Sequence, residues 1–181
     1  MAGAPVSDFV VCATYTAQET HHAVRLSEDI HRYGHEMDLV RVQRPTTKPW
    51  EILLAMDRNP GQMICMLDID ARIEATLDEL SLLVTGDIAM YFKVIFNHRG
   101  RRPVAPVFSP RTSCVVAQDT PGARRFLGVW DRYERLRYGQ IVWSPASLAM
   151  SQSVGVTFSM LPVRFAANRS DGLLFANVRY D

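Results

Sequence analysis

The chain has 181 residues, 48 % of them hydrophobic and 22 % charged, with a formal net charge of +1. That balance is ordinary for a soluble globular protein. It excludes wholesale disorder and a uniformly basic chain that coats nucleic acid through bulk charge. No apolar run approaches the roughly 20 residues of a membrane span, and the first residues show no basic stretch followed by a long apolar one, so no signal peptide is expected. Cys12, Cys65 and Cys114 are widely spaced and form no paired motif. They suit small buried positions in a reducing, cytoplasmic setting. The length fits a single domain over residues 1–181.

The elements follow in chain order. Phe9-Val10-Val11-Cys12-Ala13 is a short continuous apolar run, the pattern of a strand buried on both faces. Thr16 and Glu19 have capping-box spacing ahead of a helical stripe of Ala23, Leu26, Ile30 and Tyr33, which Gly34 ends. A strand over Leu39–Val42 completes a βαβ unit. Pro49 opens a helix carrying Trp50, Leu53 and Leu54, and Asn59-Pro60-Gly61 closes it. A strand then runs through Met63–Leu67 into Asp68 and Asp70. Thr76 and Glu79 form a second capping box before a short helix, and Ile88–Phe92 reads as a strand. Asn97–Pro103 reads as an exposed basic tip, and Val104–Val107 and Cys114–Ala117 as two strands around a turn at Ser109-Pro110-Arg111. Thr120-Pro121 and Ser144-Pro145 each read as a cap and first helical residue. The first of these helices carries Ala123, Phe126, Leu127, Trp130 and Tyr133 on one stripe. The order predicts an α/β domain with a mixed sheet.

The chemistry concentrates at Asp68-Ile69-Asp70. On a continuing strand, residues i and i+2 face the same way, and the carboxyl end of a buried strand is where ligands bind in open α/β sheets. Two carboxylates so placed repel each other, and a hard divalent cation such as Mn2+ or Mg2+ compensates them while carrying phosphate oxygens. A plain strand-ending turn is the competing reading of the same residues.

Here the sequence resembles the GT-A glycosyltransferases, nucleotide-diphospho-sugar transferases with a Rossmann-like, mixed, mostly parallel sheet flanked by helices. Met66-Leu67-Asp68-Ile69-Asp70-Ala71 is similar to their hydrophobic strand followed by D-x-D. Ala13-Thr14-Tyr15-Thr16 stands where the family places the nucleoside, and Lys48-Pro49-Trp50 precedes the D-x-D as in members with a K-P helix. Ser109–Ala117 with Thr120–Ala123 and Trp130, and later Leu161-Pro162, resemble further blocks over residues 8–165. The resemblance implies a metal-dependent sugar transferase that needs Mn2+ or Mg2+. It implies donor contacts at Ala13, Thr14, Tyr15, Lys48, Asp68 and Asp70, with Asp68 and Asp70 as metal ligands. Two departures stand out: Trp143–Ser147 lacks the Asp-Gln or Glu of many members, and no His follows His98. Asp171 or Asp181 is the candidate to take the place of a late metal ligand.

An inverting transfer needs a carboxylate base near the acceptor hydroxyl, and Asp87, Asp119 and Asp131 are its candidates. The second half of the chain is rich in arginine. Arg99, Arg101, Arg102 and Arg111 are candidates for contacting phosphate in the donor or a polyanionic acceptor, for which a modified base in DNA is one possibility. Tyr15 is either a base-stacking ring or a packing residue. Trp50 and Trp130 read as core. Two other functions use the same residues: a phosphatase resembling the haloacid dehalogenases, with Asp68 as nucleophile and Asp70 as general acid, and a nucleotide-binding protein without turnover.

Overall fold

A computed structural model describes residues 8–99, 102–136, 144–165 and 178–180, with side chains for 8–93, 109–136 and 144–165. The strands are β1 (Phe9–Tyr15), β2 (Glu36–Arg41), β3 (Met63–Leu67), β4 (Ala71–Ile73), β5 (Ile88–Arg99), β6 (Arg102–Ala117), β7 (Phe158–Met160) and β8 (Val178–Tyr180). The helices are α1 (Thr20–Arg32), α2 (Lys48–Arg58), α3 (Leu80–Leu83), α4 (Pro121–Arg135) and α5 (Pro145–Gln152). Six strands form one sheet in the order β2-β1-β3-β6-β5-β7, while β4 and β8 make a small antiparallel pair. Only β6 runs against the others: β1 pairs in parallel with β2 and β3, and β5 with β7, whereas β6 is antiparallel to β3 and β5.

Alternation along the continuous apolar runs explains the two-sided core. Phe9, Val11, Ala13, Cys65 and Leu67 face Leu26 and Ile30 of α1 and Phe165. Val10, Cys12, Ile64 and Met66 face Ile52, Ala55 and Met56 of α2 and Phe126, Leu127 and Trp130 of α4. Burial pushes the Cys12 thiol up to about 12, and a hydrogen bond with Cys114 together with burial raises the Cys65 thiol, so the fold favours the protonated form of both.

Several local expectations hold. The Glu19 carboxylate accepts from the Thr16 amide at 2.8 Å, although one 3-10 turn precedes α1. Thr120 Oγ1 accepts from the Ala123 amide at 3.1 Å, and Ser144 Oγ from the Ser147 amide at 3.2 Å. Others are corrected. Glu79 stands at the N-cap of α3, one residue before Leu80, and its carboxylate is paired with Arg164 at 2.8 Å. Trp50 is 39 % exposed with the Arg135 guanidinium over its ring, since α2 packs through Ile52, Ala55 and Met56. Ser109-Pro110-Arg111 is no turn but part of the long strand β6. Before Cys114 that strand pairs with β5 and not with β3, so Pro110 sits where no second ladder needs its missing N–H.

Candidate functional site

The site forms at the carboxyl ends of β1 and β3. β3 stops at Leu67, and the Asp68 amide donates to Ser113 O at 3.1 Å. The chain then turns, with the Ala71 amide donating to Asp68 O at 3.0 Å. Asp68 and Asp70 therefore leave the strand before its alternation can align them, which corrects the shared-strand expectation. β6 bulges opposite this turn. Met90 of β5 pairs with Val115, but the next residue, Tyr91, pairs with Arg111. The bulge turns the carbonyls of Thr112 and Ser113 toward Lys48. Lys48, at the start of α2, donates to Thr112 O at 2.6 Å, to Ser113 O at 3.2 Å and to Asp68 Oδ1. Its three N–H groups are thus all committed, and Lys48 acts on Asp68 rather than reaching into open space.

Asp70 is held by its backbone: Arg25 of α1 donates to Asp70 O at 3.2 Å. Behind it the fully buried Asp29 accepts from Arg72 Nε at 2.7 Å and from the Ile73 amide at 3.2 Å. No described group binds the Asp70 carboxylate, and one oxygen of Asp68 is also left over. Among the described residues no third His, Cys, Asp or Glu joins them. Uncommitted carboxylate oxygens are the hard donors that a divalent cation such as Mn2+ or Mg2+ takes.

Two clefts meet at Asp68. One, of about 400 Å³, is lined by Thr14, Tyr15, Lys48, Glu51 and Asp68. Glu51, which the sequence reading missed, forms its floor. It is buried and accepts from the Thr14 hydroxyl and from Thr46 Oγ1 at 2.9 Å. Its signal was a carboxylate on the buried stripe of α2, one turn before Ala55. Ala13 does not line this cleft, because its methyl is buried in the core facing α1. The second cleft, of about 360 Å³, lies across Asp68 and Thr112 from the first, between β6, α4 and the start of α5. Arg111 and Glu134 line it.

The expected base candidates fall elsewhere. Asp87 and Asp119 lie at the opposite edge of the sheet, because antiparallel β6 carries Ala117 to the amino end of β3. There Asp87 accepts from the Thr120 hydroxyl and the Thr157 amide, which hold its carboxyl below the usual range. Asp119 accepts from Arg124 at 2.7 Å, with the same consequence. Asp131 is nearer, but Thr47 and Arg135 take both of its oxygens. Arg101, Asp171 and Asp181 lie outside the described residues, and Arg99 and Arg102 are described in backbone alone, as partners at the end of the β5–β6 ladder.

The described elements form a GT-A-like, mixed, mostly parallel α/β fold, as comparison with solved structures shows. The chain superposes on a glycosyltransferase involved in the glycosylation of the major capsid of PBCV-1 with a TM-score of 0.62 at 11 % identity, covering 95 % of this chain and 92 % of that one. It superposes on the galactosyltransferase LgtC, in complex with donor and acceptor sugar analogs, with a TM-score of 0.58 at 7 % identity, covering 95 % and 86 %. For the glycosyltransferase GlyE of Streptococcus pneumoniae the TM-score is 0.58 at 8 % identity, covering 95 % of this chain and 54 % of that one. No protein-family profile and no curated protein sequence matches the chain. No helix among the described residues is long and apolar enough to cross a membrane.

Proposed function

We propose that the protein is a GT-A-type glycosyltransferase that moves a sugar from a nucleoside-diphosphate donor to a hydroxyl acceptor, with Mn2+ or Mg2+ held by Asp68 and Asp70. One observation carries this reading: Asp68 is a wall common to two clefts, one at the ends of β1 and β3 and one against α4 and α5. A donor in the first cleft and an acceptor in the second would meet there. When bound, the ion acts as a Lewis acid toward the departing diphosphate. The chain's own residues hold the parts in place. Lys48 fixes Asp68, Arg25 fixes the backbone at Asp70, and Glu51 fixes Thr14 beside Tyr15. The structural relatives, two of them described as a galactosyltransferase and a capsid-modifying glycosyltransferase, support the same class of chemistry.

Calorimetry with UDP or GDP and Mn2+ tests the proposal. Wild type binds and the Asp68→Ala/Asp70→Ala double variant does not; equal binding by both removes the donor site. Release of nucleoside diphosphate from a sugar donor separates a transferase from a nucleotide-binding protein without turnover. Hydrolysis of p-nitrophenyl phosphate in its place would establish the phosphatase reading instead.

A further inference from the structure

We infer that the cleft between β6, α4 and α5 is the acceptor site, that Glu134 is the residue that grips the acceptor, and that the acceptor is a neutral polyhydroxylated molecule. The inference rests on the transferase reading above and deepens it.

Glu134 stands one helical turn after Trp130 on α4, and the Trp130 indole N–H donates to its Oε1 at 2.9 Å. Trp130 is itself 1 % exposed and locked in the core by Phe126. The carboxylate is thus anchored by one oxygen to a rigid ring. Its other oxygen has no partner among the described residues and belongs to a side chain that lines the cleft. An anchored carboxylate with a spare oxygen is pre-organised to accept a hydrogen bond, and a charged acceptor strengthens that bond. The remaining lining suits hydroxyl groups. Ser109, Thr112 and Ser113 bring hydroxyls that no described group engages, and Arg111 brings donors with no ion partner among the described residues. Among the described lining residues the charges are the carboxylates of Asp68 and Glu134 and the guanidinium of Arg111, with Lys48 bound to Asp68. A polyanion would meet two carboxylates here, whereas a sugar or other polyol finds donors and acceptors in both senses. The volume, about 360 Å³, is at the small-molecule end of ligand sites, roughly 300–1,000 Å³.

The indole N–H of Trp130 reports on this site without any need for turnover. The experiment follows its 15N–1H resonance, assigned with Trp130→Phe, while lactose or maltose is titrated at millimolar concentration with UDP and Mn2+ present. Heparin and a single-stranded oligodeoxynucleotide serve as polyanionic probes. The expected result is a saturable shift with a disaccharide, weakened about tenfold or more in Glu134→Gln, which keeps an oxygen for the indole and so keeps the fold. Polyanions leave the resonance in place. A shift with the polyanions and not with the disaccharides overturns the neutral acceptor. So does the absence of any sugar-induced shift while UDP still binds, and in that case the donor site survives. Failure of UDP and the sugars alike removes both the inference and the reading beneath it.

Discussion

The Lys48 ammonium is bound to the Asp68 carboxylate and shares its remaining hydrogens with two carbonyls of the β6 bulge. A cation built into the chain therefore stands beside the carboxylate that the proposed metal needs. The two positive charges compete for Asp68, so removing Lys48 strengthens metal binding. Partial exposure of Asp68, at 45 %, screens the effect. With an effective dielectric near that of a protein surface, a gain on the order of tenfold in Mn2+ affinity is expected for Lys48→Met. Titration of Mn2+ by electron paramagnetic resonance checks this; unchanged or weaker binding would show that Lys48 serves the ion by shaping Asp68 instead of opposing it.

Asp29 ties the far side of the site together. It is fully buried on α1, and it accepts from Arg72 and the Ile73 amide directly after the Asp68–Asp70 turn. Asp29→Asn sets an amide donor against these donors and removes the negative charge that Asp29 offers to Arg72 and Arg32. Because Arg72 keeps some contact with water, the cost is placed at about 2–4 kcal/mol. Urea unfolding measures it, and a loss below about 0.5 kcal/mol, the range of ordinary surface substitutions, would show that the pair is dispensable.

Much of this fold was legible because the buried strands are continuous apolar runs and α4 and α5 open on Thr-Pro and Ser-Pro caps. The place of Asp68 and Asp70 just past the end of β3 was legible for the same reason: the apolar run stops where the charges begin. What was not legible depends on long-range register. The sequence shows two short strands around Pro110, but pairing with β5 makes them one. The same pairing sends Asp87 and Asp119 to the far edge of the sheet. Glu51 and Glu134 escaped notice because a carboxylate on a helix reads as solvated until the partners that hold it, Thr14 and Trp130, are placed beside it by the fold.

Asp87 makes the distinction between edge and site testable. Its carboxylate joins the cap of α4 to the segment before β7, through Thr120 and Thr157. A Cβ at Gly122 would stand 2.6 Å from it, so the neighbouring backbone is fitted to this side chain. Asp87→Asn is expected to lower the melting temperature while leaving nucleoside diphosphate release within about twofold of wild type, a change of well under 1 kcal/mol in barrier. Since its folded pKa is lowered, the stability it contributes is present above the unfolded value and is lost as pH falls through the folded one. The stability difference between wild type and Asp87→Asn therefore shrinks under strongly acid conditions. A large loss of turnover at neutral pH with no loss of stability would return Asp87 to the list of bases.

His35 gives a dependence in a milder range. It is buried against Phe9, its Nε2 accepts from the Leu77 amide at 3.1 Å, and Asp78 lies 3.7 Å from Nδ1. Nε2 must be unprotonated to accept, so the neutral ring is the one the fold holds. Burial lowers its pKa, and the exposed Asp78 only partly offsets this. The unfolded chain therefore takes up the proton first. Stability is complete above the unfolded value, near 6.5, and falls as pH drops below it toward the folded value. The melting temperature of wild type is expected to decline between about pH 7 and pH 5, well above the range in which Asp87 and Asp119 titrate. His35→Gln, which offers an oxygen to the Leu77 amide and cannot take up a proton, flattens that decline. An equal slope in both proteins across this window would show that His35 does not control it.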